Sequence, residues 1–305
     1  MAEKISIKDF PEEEYIYPGT RACSGCALSL AYRHALKALH LNAGEIIVTV
    51  PASCCTVLHG MYPVTSVKFP MLNCAFETTA ATASGIKAAL KAQGKEDIIV
   101  VGWAGDGGTA DIGIQALSGA AERETDFIYV CYDNEAYQNT GMQRSSSTPY
   151  KGYTTTTPIG KMEQKKNVPA IMAAHNIPYV ATANPSYPFD LFNKFKKAKE
   201  MKGATRYIHI ISPCPPGWGF HTKDLIKIGK LATETGFFTL YEIINGNFQL
   251  TGVSKLIAEG RKKRKPVKEY IKAQRRFRFL TDQDIDSIQK IIDTEYKSYS
   301  EKDKE

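Results

Sequence analysis

Three almost continuous apolar runs place the strongest constraint on the fold of this chain. The runs IIVTV (46–50), DIIVVGW (97–103) and FIYVCY (127–132) are rich in β-branched and aromatic residues and do not alternate with polar ones. A strand of this composition has both faces covered, as in a parallel sheet between two layers of helices. Helical patterns separate the runs, so the sequence predicts an α/β fold with a doubly wound parallel sheet.

The same patterns predict six strands and six helices. The strands are expected at 45–50, 97–103, 127–132, 179–183, 207–211 and 237–242, and the helices at 27–41, 75–92, 111–122, 169–175, 188–201 and 222–233. A long polar loop is predicted over 143–164, and the charged tail after Ser298 is expected to fray. We expect a single main domain over 1–250 and a basic C-terminal arm with a helix over 251–305, packed on that domain or on partner subunits.

The positive charge of the chain is concentrated in one short segment. The formal net charge is +7 over 305 residues, but residues 255–278 alone contain eleven Lys or Arg and two Glu. No nucleic-acid recognition module accompanies this charge, so a nucleic-acid role is excluded. The sequence has no run of about 20 uncharged apolar residues and its N-terminus is polar, so we predict no membrane contact and a cytoplasmic location.

A glycine-rich turn follows the second apolar run. Gly105-Asp106-Gly107-Gly108 lets the backbone approach a ligand closely, and the helix that follows favours a phosphate at its N-terminus. The Asp106 carboxylate can bind a phosphate only through a cation such as Mg²⁺. A second oxygen ligand, Asn134, follows the next apolar run, and parallel strands end at the same edge of a sheet. A turn chosen only for its shape remains the alternative.

The cysteines form a second set of candidate ligands. The chain contains Cys23, Cys26, Cys54, Cys55, Cys74, Cys131 and Cys214. An odd number in a chain without a secretory signal argues against a disulfide framework. Cys23 and Cys26 have the spacing at which two thiolates bind one metal centre, and Cys214 lies in a rigid Pro-rich turn after an apolar run. Zinc, an iron–sulfur cluster and no metal at all remain open; Cys74 and Cys131 are expected to be packing residues.

These motifs together closely resemble the β subunits of the pyruvate:ferredoxin oxidoreductase (pyruvate synthase) family, within the 2-oxoacid:ferredoxin oxidoreductases. The resemblance extends from about residue 21 to about residue 280 and is carried by RACSGCA, GWAGDGGTADIGIQALSGAAER, YVCYDNEAYQNTGMQRSSSTP, IMAAHNIPYVATA and SPCPPGW. It implies that the predicted sheet is the diphosphate-binding (PP) module of a thiamine enzyme.

The resemblance implies thiamine pyrophosphate and Mg²⁺ at the glycine-rich turn. Asp106, Asn134 and the backbone carbonyl of Ala136 would hold Mg²⁺, and Gly105 and Gly107 would lie against the cofactor. Many thiamine enzymes end this motif in Asn-Asn, whereas an aspartate precedes the asparagine here.

Two further polar residues are implied beside the diphosphate and the substrate. Asn139 would be a catalytic polar contact, and Thr140 would bind the cofactor. A solvated turn is the alternative for this stretch.

The resemblance also implies one four-iron, four-sulfur cluster. Its ligands would be Cys23, Cys26, Cys55 and Cys214, with Cys54 in the place of a glycine that usually precedes the third ligand. Adjacent residues of an extended stretch point to opposite sides, so we expect only Cys55 of this pair to face the iron.

The implied activity is the reversible, coenzyme A-dependent oxidative decarboxylation of pyruvate to acetyl-CoA and CO₂, with electrons passed to ferredoxin. Another 2-oxoacid, such as a branched-chain one, is the closest alternative. A non-redox thiamine-dependent decarboxylase and a zinc-containing regulatory protein are more distant ones. Only one α/β module is evident, so the implied partners are a pyrimidine-binding α subunit, a coenzyme A-binding γ subunit and a ferredoxin-like δ subunit. The basic segment is either a solvated, subunit-facing arm or a docking surface for ferredoxin or these subunits.

Overall fold

The computed structural model describes residues 6–60 and 64–304, and in this part of the chain eight strands form one sheet between helices. The strands are β1 (Ile46–Pro51), β2 (Met71–Cys74), β3 (Ile99–Gly105), β4 (Ile128–Asp133), β5 (Tyr179–Ala183), β6 (Arg206–Ile211), β7 (Tyr241–Ile244) and β8 (Asn247–Leu250). Residues 1–5 and 61–63 of the predicted main domain and residue 305 of the predicted arm lie outside the described residues.

The sheet has the predicted doubly wound topology. Its strand order is β2-β1-β3-β4-β6-β5-β7-β8, and the first six strands in this order are parallel to their neighbours. Strand β7 pairs antiparallel with β5, and β8 pairs antiparallel with β7. Five of the six predicted strands are confirmed to within two residues, whereas the predicted strand at 237–242 lies at 241–244.

Helices cover both faces of the sheet. They are α1 (Ala27–Leu39), α2 (Cys54–His59), α3 (Thr79–Ala92), α4 (Ile114–Glu122), α5 (Val168–Ala173), α6 (Pro188–Glu200), α7 (Pro215–Trp218), α8 (Leu225–Glu234), α9 (Gly252–Ala258), α10 (Val267–Lys272) and α11 (Asp282–Lys302). Helices α1, α2 and α6 contribute to one apolar core, and α3, α4 and α5 contribute to a second.

Alternate side chains of the central strands enter opposite cores. In β3, Val101 and Trp103 pack in the core of α1 and α6, while Val100 and Ala104 pack in the core of α3 and α4. Both faces of the strand are therefore removed from water, which stabilises the fold through apolar burial. This double burial is the reason that the apolar runs are continuous rather than alternating.

The segment after residue 250 contributes to a third apolar core. Leu231 of α8 packs there with Ile257 of α9, Tyr270 of α10 and Ile292 of α11. No helix of the described residues is long and apolar enough to cross a membrane.

The end of the chain does not fray as expected. Helix α11 continues to Lys302, and Tyr296 near its end is buried in the third core. Beyond the helix, Asp303 Oδ1 accepts a hydrogen bond of 2.6 Å from the backbone amide of Leu250. The charged composition misled the prediction because the apolar residues lie on one face of the helix.

Candidate functional site

Four neighbouring strands carry the candidate ligands at their carboxyl ends. Cys54 follows β1, Asp106 follows β3, Asn134 follows β4, and Cys214 follows β6. These strands are adjacent and parallel in the sheet, so their carboxyl ends lie at one edge. Open α/β sheets bind their ligands at this edge. The two sets of motifs, well separated in sequence, are thus brought together by the strand order.

Three oxygen positions converge between the ends of β3 and β4. The terminal atom of the Asn134 amide that faces Asp106 lies 3.0 Å from Asp106 Oδ1 and 2.7 Å from the carbonyl oxygen of Ala136. When the amide oxygen occupies this position, it meets two other oxygens and no donor. When the amide nitrogen occupies it, both contacts become hydrogen bonds. The Asn134 amide can therefore present its nitrogen to the two oxygens when no cation is bound, or its oxygen to a bound cation.

This oxygen set fits Mg²⁺. The ion takes oxygen ligands at about 2.1 Å in an octahedron, which separates neighbouring ligand oxygens by about 3 Å. The two separations around Asn134 match that spacing. Burial and the nearby carboxylate of Asp133 raise the pKa of Asp106, so a divalent cation would relieve the cost of its charge.

A buried network of charges supports the loop that carries Asn134. Asp133 contacts Lys165 Nζ at 2.5 Å and His209 Nε2 at 2.8 Å. Glu135 contacts Lys165 Nζ at 2.8 Å and Arg276 Nη1 at 2.6 Å. Although burial alone would raise it, the charge of Lys165 and the hydrogen bond to His209 hold the pKa of Asp133 below its usual range. The aspartate that departs from the usual Asn-Asn motif is thus an anchor of this loop.

The glycine-rich turn forms one wall of a cavity of about 400 Å³. A Cβ atom at Gly107 would lie 2.2 Å from the ring of Tyr137, so only glycine fits there. At Gly105, a Cβ would lie 3.3 Å from the Tyr132 ring. The chain continues as a π-helical turn, Gly107–Asp111, before α4, rather than starting the α-helix directly. Such turns inside helices are frequent at functional sites.

A second cavity, of about 70 Å³, adjoins the first. Its walls include Cys23, Cys26, Cys54 and Cys214. Cys54 and Asn139, with Val57 and Asn134, line both cavities. The cysteine cavity and the glycine-rich cavity are therefore neighbours with a common wall.

The cysteine cavity has four thiols from three separate segments of the chain, which is the donor set that iron–sulfur clusters use. Among residues 6–60 and 64–304, no three His, Cys, Asp or Glu side chains converge closely enough to hold one metal ion. In a four-iron cluster each thiolate binds a different iron, so the sulfur atoms are spread more widely. Burial raises the pKa of Cys26, and burial with the neighbouring thiols raises the pKa of Cys54 to about 12. These thiols lose their protons when a metal binds them.

The turn between the first two cysteines has a fixed backbone. The backbone amide of Cys26 donates a hydrogen bond of 3.2 Å to the carbonyl of Cys23. Cys26 occupies the N-cap position of α1. Gly25 has φ +68°, and a Cβ there would lie 2.7 Å from the carbonyl oxygen of Thr222. The C-x-x-C spacing is thus imposed by a tight turn packed against the start of α8.

The structure places Cys55 away from this cavity. Residues 54–59 form helix α2, not the extended stretch on which the expectation for Cys55 was based. Cys55 is fully buried in the core of α1 and α6, with its Sγ 3.5 Å from His59 Nε2. In a helix, neighbouring residues point about 100° apart, and here Cys54 faces the other cysteines. This arrangement favours Cys54 over Cys55 as the third ligand.

Asn139 and Thr140 lie where the two cavities open. Both are exposed; Asn139 contributes to the walls of both cavities, and Thr140 to the larger one. Thr140 Oγ1 donates a hydrogen bond of 2.6 Å to Gln143 Oε1. Of the two remaining cysteines, Cys131 is fully buried and Cys74 is half-buried, at the end of β2.

The sequence did not point to Lys165 or Arg276. Both are distant in sequence from the Asn134 loop that they support. In the sequence, each is simply one member of a stretch of charged residues. A buried carboxylate next to a ligand, such as Asp133, was the one available signal that a cationic partner must exist.

Comparisons with known proteins identify the family. Residues 52–210 match the family "Thiamine pyrophosphate enzyme, C-terminal TPP binding domain". Pyruvate synthase subunit PorB of Methanothermobacter thermautotrophicus is 50% identical over 289 residues, covering 93% of this chain and 96% of that protein. Ketoisovalerate oxidoreductase subunit VorB of Pyrococcus furiosus is 45% identical over 297 residues, covering 94% and 93%. The chain belongs to the PorB/VorB family of 2-oxoacid oxidoreductase subunits.

Membership of the PorB/VorB family confirms the resemblance drawn from the motifs. PorB of Methanocaldococcus jannaschii is 50% identical over 303 residues, covering 95% of this chain and 98% of that protein. Among solved structures, 2-oxoglutarate:ferredoxin oxidoreductase from Magnetococcus marinus, with 2-oxoglutarate, coenzyme A and succinyl-CoA bound, aligns with a TM-score of 0.58 at 24% identity. That alignment covers 75% of this chain and 81% of the other, and it supports the fold.

Proposed function

We propose that this chain is the thiamine- and cluster-binding subunit of a pyruvate:ferredoxin oxidoreductase. The complex would carry out the reversible, coenzyme A-dependent oxidative decarboxylation of pyruvate to acetyl-CoA and CO₂. The observation that carries the proposal is the common wall of the two cavities, in which Cys54 and Asn139 take part. A decarboxylase without redox chemistry has no use for a cysteine-lined cavity beside its cofactor.

Asp106, Asn134 and the carbonyl of Ala136 would hold Mg²⁺, and through it the diphosphate. Gly105 and Gly107 line the cavity that would receive the diphosphate, and the absence of side chains there also leaves room for the rings of Tyr132 and Tyr137. When bound, thiamine pyrophosphate supplies the carbanion chemistry that releases CO₂ from a 2-oxoacid.

The protein would orient this chemistry from several sides. Asn139, which lines both cavities, would donate a hydrogen bond to a substrate oxygen. Thr140 and Gln143 fix the loop beside it. The buried charges around Asp133 keep the loop in one conformation.

Cys23, Cys26, Cys54 and Cys214 would hold one four-iron, four-sulfur cluster. When bound, such a cluster would supply one-electron redox chemistry beside the thiamine cavity, and these four residues would hold it there. Cys54 replaces Cys55 in this proposal because only Cys54 lies in a wall of the cysteine cavity.

The complex would be completed by other subunits. A PorB name denotes one subunit of several, and this chain offers a single α/β module. We assign the pyrimidine-binding α subunit, the coenzyme A-binding γ subunit and the ferredoxin-like δ subunit as partners.

Part of the basic segment would face an acidic partner. Lys262 and Lys265 both pair with the single carboxylate of Glu234, which offsets one of their two charges. In contrast, Lys272, Arg275 and Arg278 are exposed around a cavity of about 460 Å³ that reaches Gly219, close to the Cys214 turn. This charge suits the ferredoxin-like subunit or ferredoxin, which must come near the cluster.

A branched-chain 2-oxoacid is the second candidate substrate. VorB of Pyrococcus furiosus, a ketoisovalerate oxidoreductase subunit, is nearly as similar to this chain as the PorB proteins are. The two activities differ in the size of the pocket, to which the partner subunits also contribute walls.

The decisive experiment is anaerobic purification of the chain with its native partners. Iron, sulfide and thiamine are measured, and reduction of a low-potential acceptor is assayed with pyruvate, 2-oxoisovalerate and 2-oxoglutarate in the presence of coenzyme A. We expect iron and thiamine in the complex and the highest kcat/KM with pyruvate. Thiamine without iron and sulfide would refute the redox role, and a preference for 2-oxoisovalerate would select the second candidate.

A further inference from the structure

One tryptophan bonds the loop of the oxygen ligands to the turn of a cysteine. Trp218 Nε1 donates a hydrogen bond of 2.8 Å to the backbone carbonyl of Asn134. The backbone amide of Trp218 donates to the carbonyl of Cys214, also at 2.8 Å. Gln138 Nε2 donates to the same Asn134 carbonyl at 2.9 Å. Trp218 thus contacts one proposed Mg²⁺ ligand and one proposed cluster ligand.

An arginine of the C-terminal segment stacks on one face of the Trp218 indole. The guanidinium of Arg276 lies 3.7 Å from the centre of the Trp218 ring. Its nitrogens also contact Glu135 Oε2 at 2.6 Å, Gln274 Oε1 at 2.8 Å and Tyr270 OH at 3.0 Å. Trp218 is 1% and Arg276 4% exposed, so this stack is shielded from water. A desolvated cation over an aromatic ring is a strong contact.

The turn that carries Cys214 (residues 214–219, the cysteine turn) packs directly against the loop after β4 that carries Asn134 (the asparagine loop). A Cβ at Gly217 would lie 1.8 Å from Gln138 Oε1. The residue after the tryptophan, Gly219, has φ +72°, and a Cβ there would lie 2.6 Å from Arg275 Cβ. Gly217 therefore lets the turn sit directly on the asparagine loop, and Gly219 lets the C-terminal segment approach the same turn. Because these contacts are close-packed, a shift of the turn displaces the loop.

We propose that Trp218 is a positioning residue that couples the Mg²⁺–diphosphate site to the cluster site, with Arg276 as its support. The inference rests on the proposed function. Movement of Asn134 on Mg²⁺ binding is passed through its carbonyl and the indole N–H to the turn of Cys214. Conversely, the indole keeps the Asn134 side chain aimed at Asp106 before the cofactor arrives.

The chain supplies a matched control for this role. It contains two tryptophans, Trp103 and Trp218, and each is 1% exposed. Trp103 Nε1 has no hydrogen-bond partner among the described residues, whereas Trp218 Nε1 has Asn134. Replacing each by phenylalanine removes a similar volume, but only Trp218→Phe removes the link.

The test uses the anaerobic complex with each variant. The Mg²⁺ concentration for half-maximal thiamine pyrophosphate binding is measured, and the EPR spectrum of the reduced cluster is recorded with and without the cofactor. We expect Trp218→Phe to raise the half-maximal Mg²⁺ concentration about three- to tenfold, the effect of one lost hydrogen bond. We also expect it to abolish the change that the cofactor causes in the cluster spectrum. Trp103→Phe should change the Mg²⁺ requirement by less than about twofold and keep the spectral response.

A second variant, Arg276→Lys, tests the same link if Trp218→Phe fails to fold. Lysine keeps the charge beside Glu135 but loses the planar stack, so we expect a smaller change in the same direction. Equal Mg²⁺ requirements and equal spectra for Trp218→Phe and Trp103→Phe would overturn the inference. Wild-type complex without iron or thiamine would instead overturn the proposed function.

Discussion

At the scale of single residues, Cys54 and Cys55 have different surroundings because helix α2 begins at Cys54, shortly after strand β1. Cys54 is half-buried at the cavity, and Cys55 is fully buried beside His59. From the family resemblance, the sequence analysis chose Cys55 as the residue that faces the iron, because it treated the residues after β1 as an extended stretch. Residues 54–59 are helical instead, and the sequence pattern did not reveal this.

The first prediction separates these two cysteines. We expect Cys54→Ala to reduce the iron of this chain from about four atoms to near zero, because a cluster ligand is lost. Cys55→Ala should keep the iron and lower the free energy of unfolding by about 1–2 kcal/mol, through a small cavity. Iron analysis and urea denaturation after anaerobic purification measure both. Loss of iron in Cys55→Ala with retention in Cys54→Ala would contradict the assignment.

The second prediction concerns the magnesium ligand. Asp106→Asn keeps the shape of the side chain and removes its charge, so thiamine pyrophosphate binding at millimolar Mg²⁺ should be lost. The cluster ligands lie on other loops, so the iron content serves as an internal control and should not change. Near-normal cofactor affinity would mean that the glycine-rich turn is only a structural element.

The third prediction is a pH dependence of stability. Burial lowers the pKa of His59 from 6.5 to about 4, so the folded chain keeps this imidazole neutral while the unfolded chain protonates it. The stabilisation is complete above pH 6.5 and is lost as the pH falls towards 4. Between pH 7 and 5 we expect the wild type to lose about 2 kcal/mol more than His59→Gln, in which other groups titrate equally. Parallel losses in urea denaturation would disprove this origin.

At the scale of elements, the parallel strands in the interior of the sheet were predicted well, and the strands at its two edges, β2 and β8, were not predicted. β3 and β4 are buried on both faces, so their sequence pattern is unambiguous. β2 has four residues and lies half-exposed at the edge, where no apolar pattern marks it. Phe237 and Phe238 suggested a strand, but they pack in the third core ahead of β7.

The fourth prediction concerns the support of the asparagine loop by the C-terminal segment. Arg276→Met leaves Glu135 with a single cationic partner in a buried site, and we expect a loss of about 3 kcal/mol in unfolding free energy. Arg261→Met is the control, since the Arg261 side chain is 69% exposed and paired only with Glu259. We expect that change to cost less than about 1 kcal/mol. A similar small effect of both variants in urea denaturation would show that the buried pair is dispensable.

At the scale of the whole molecule, the proposed function makes this chain one half of a thiamine site. The sequence alone indicated the fold and the diphosphate module through local motifs, and it indicated the need for partners because only one α/β module is evident. It could not indicate which distant residues support the site. Arg276 and Glu135 are separated by most of the α/β domain, and their contact depends on how the third core closes against the sheet.

The fifth prediction concerns the activity of this chain without its partner subunits. We expect the isolated, cluster-loaded chain to show no coenzyme A-dependent oxidation of pyruvate. The described residues form one α/β module, and in the proposed complex the glutamate that activates thiamine comes from a partner subunit. Addition of the partner subunits should restore reduction of a low-potential acceptor. Robust turnover by the chain alone would refute the proposed division of labour.

The position of Arg276 near the end of the chain has a consequence for biosynthesis. Glu135 leaves the ribosome long before its arginine partner, and at about 5–20 residues per second the interval of 141 residues takes roughly 7–28 seconds. During that time the asparagine loop has neither the salt bridge nor the stacked tryptophan. A nascent chain, or one truncated before Arg276, therefore holds the Glu135 carboxylate through Lys165 alone. We expect such a chain to bind thiamine pyrophosphate less tightly than the full-length chain does.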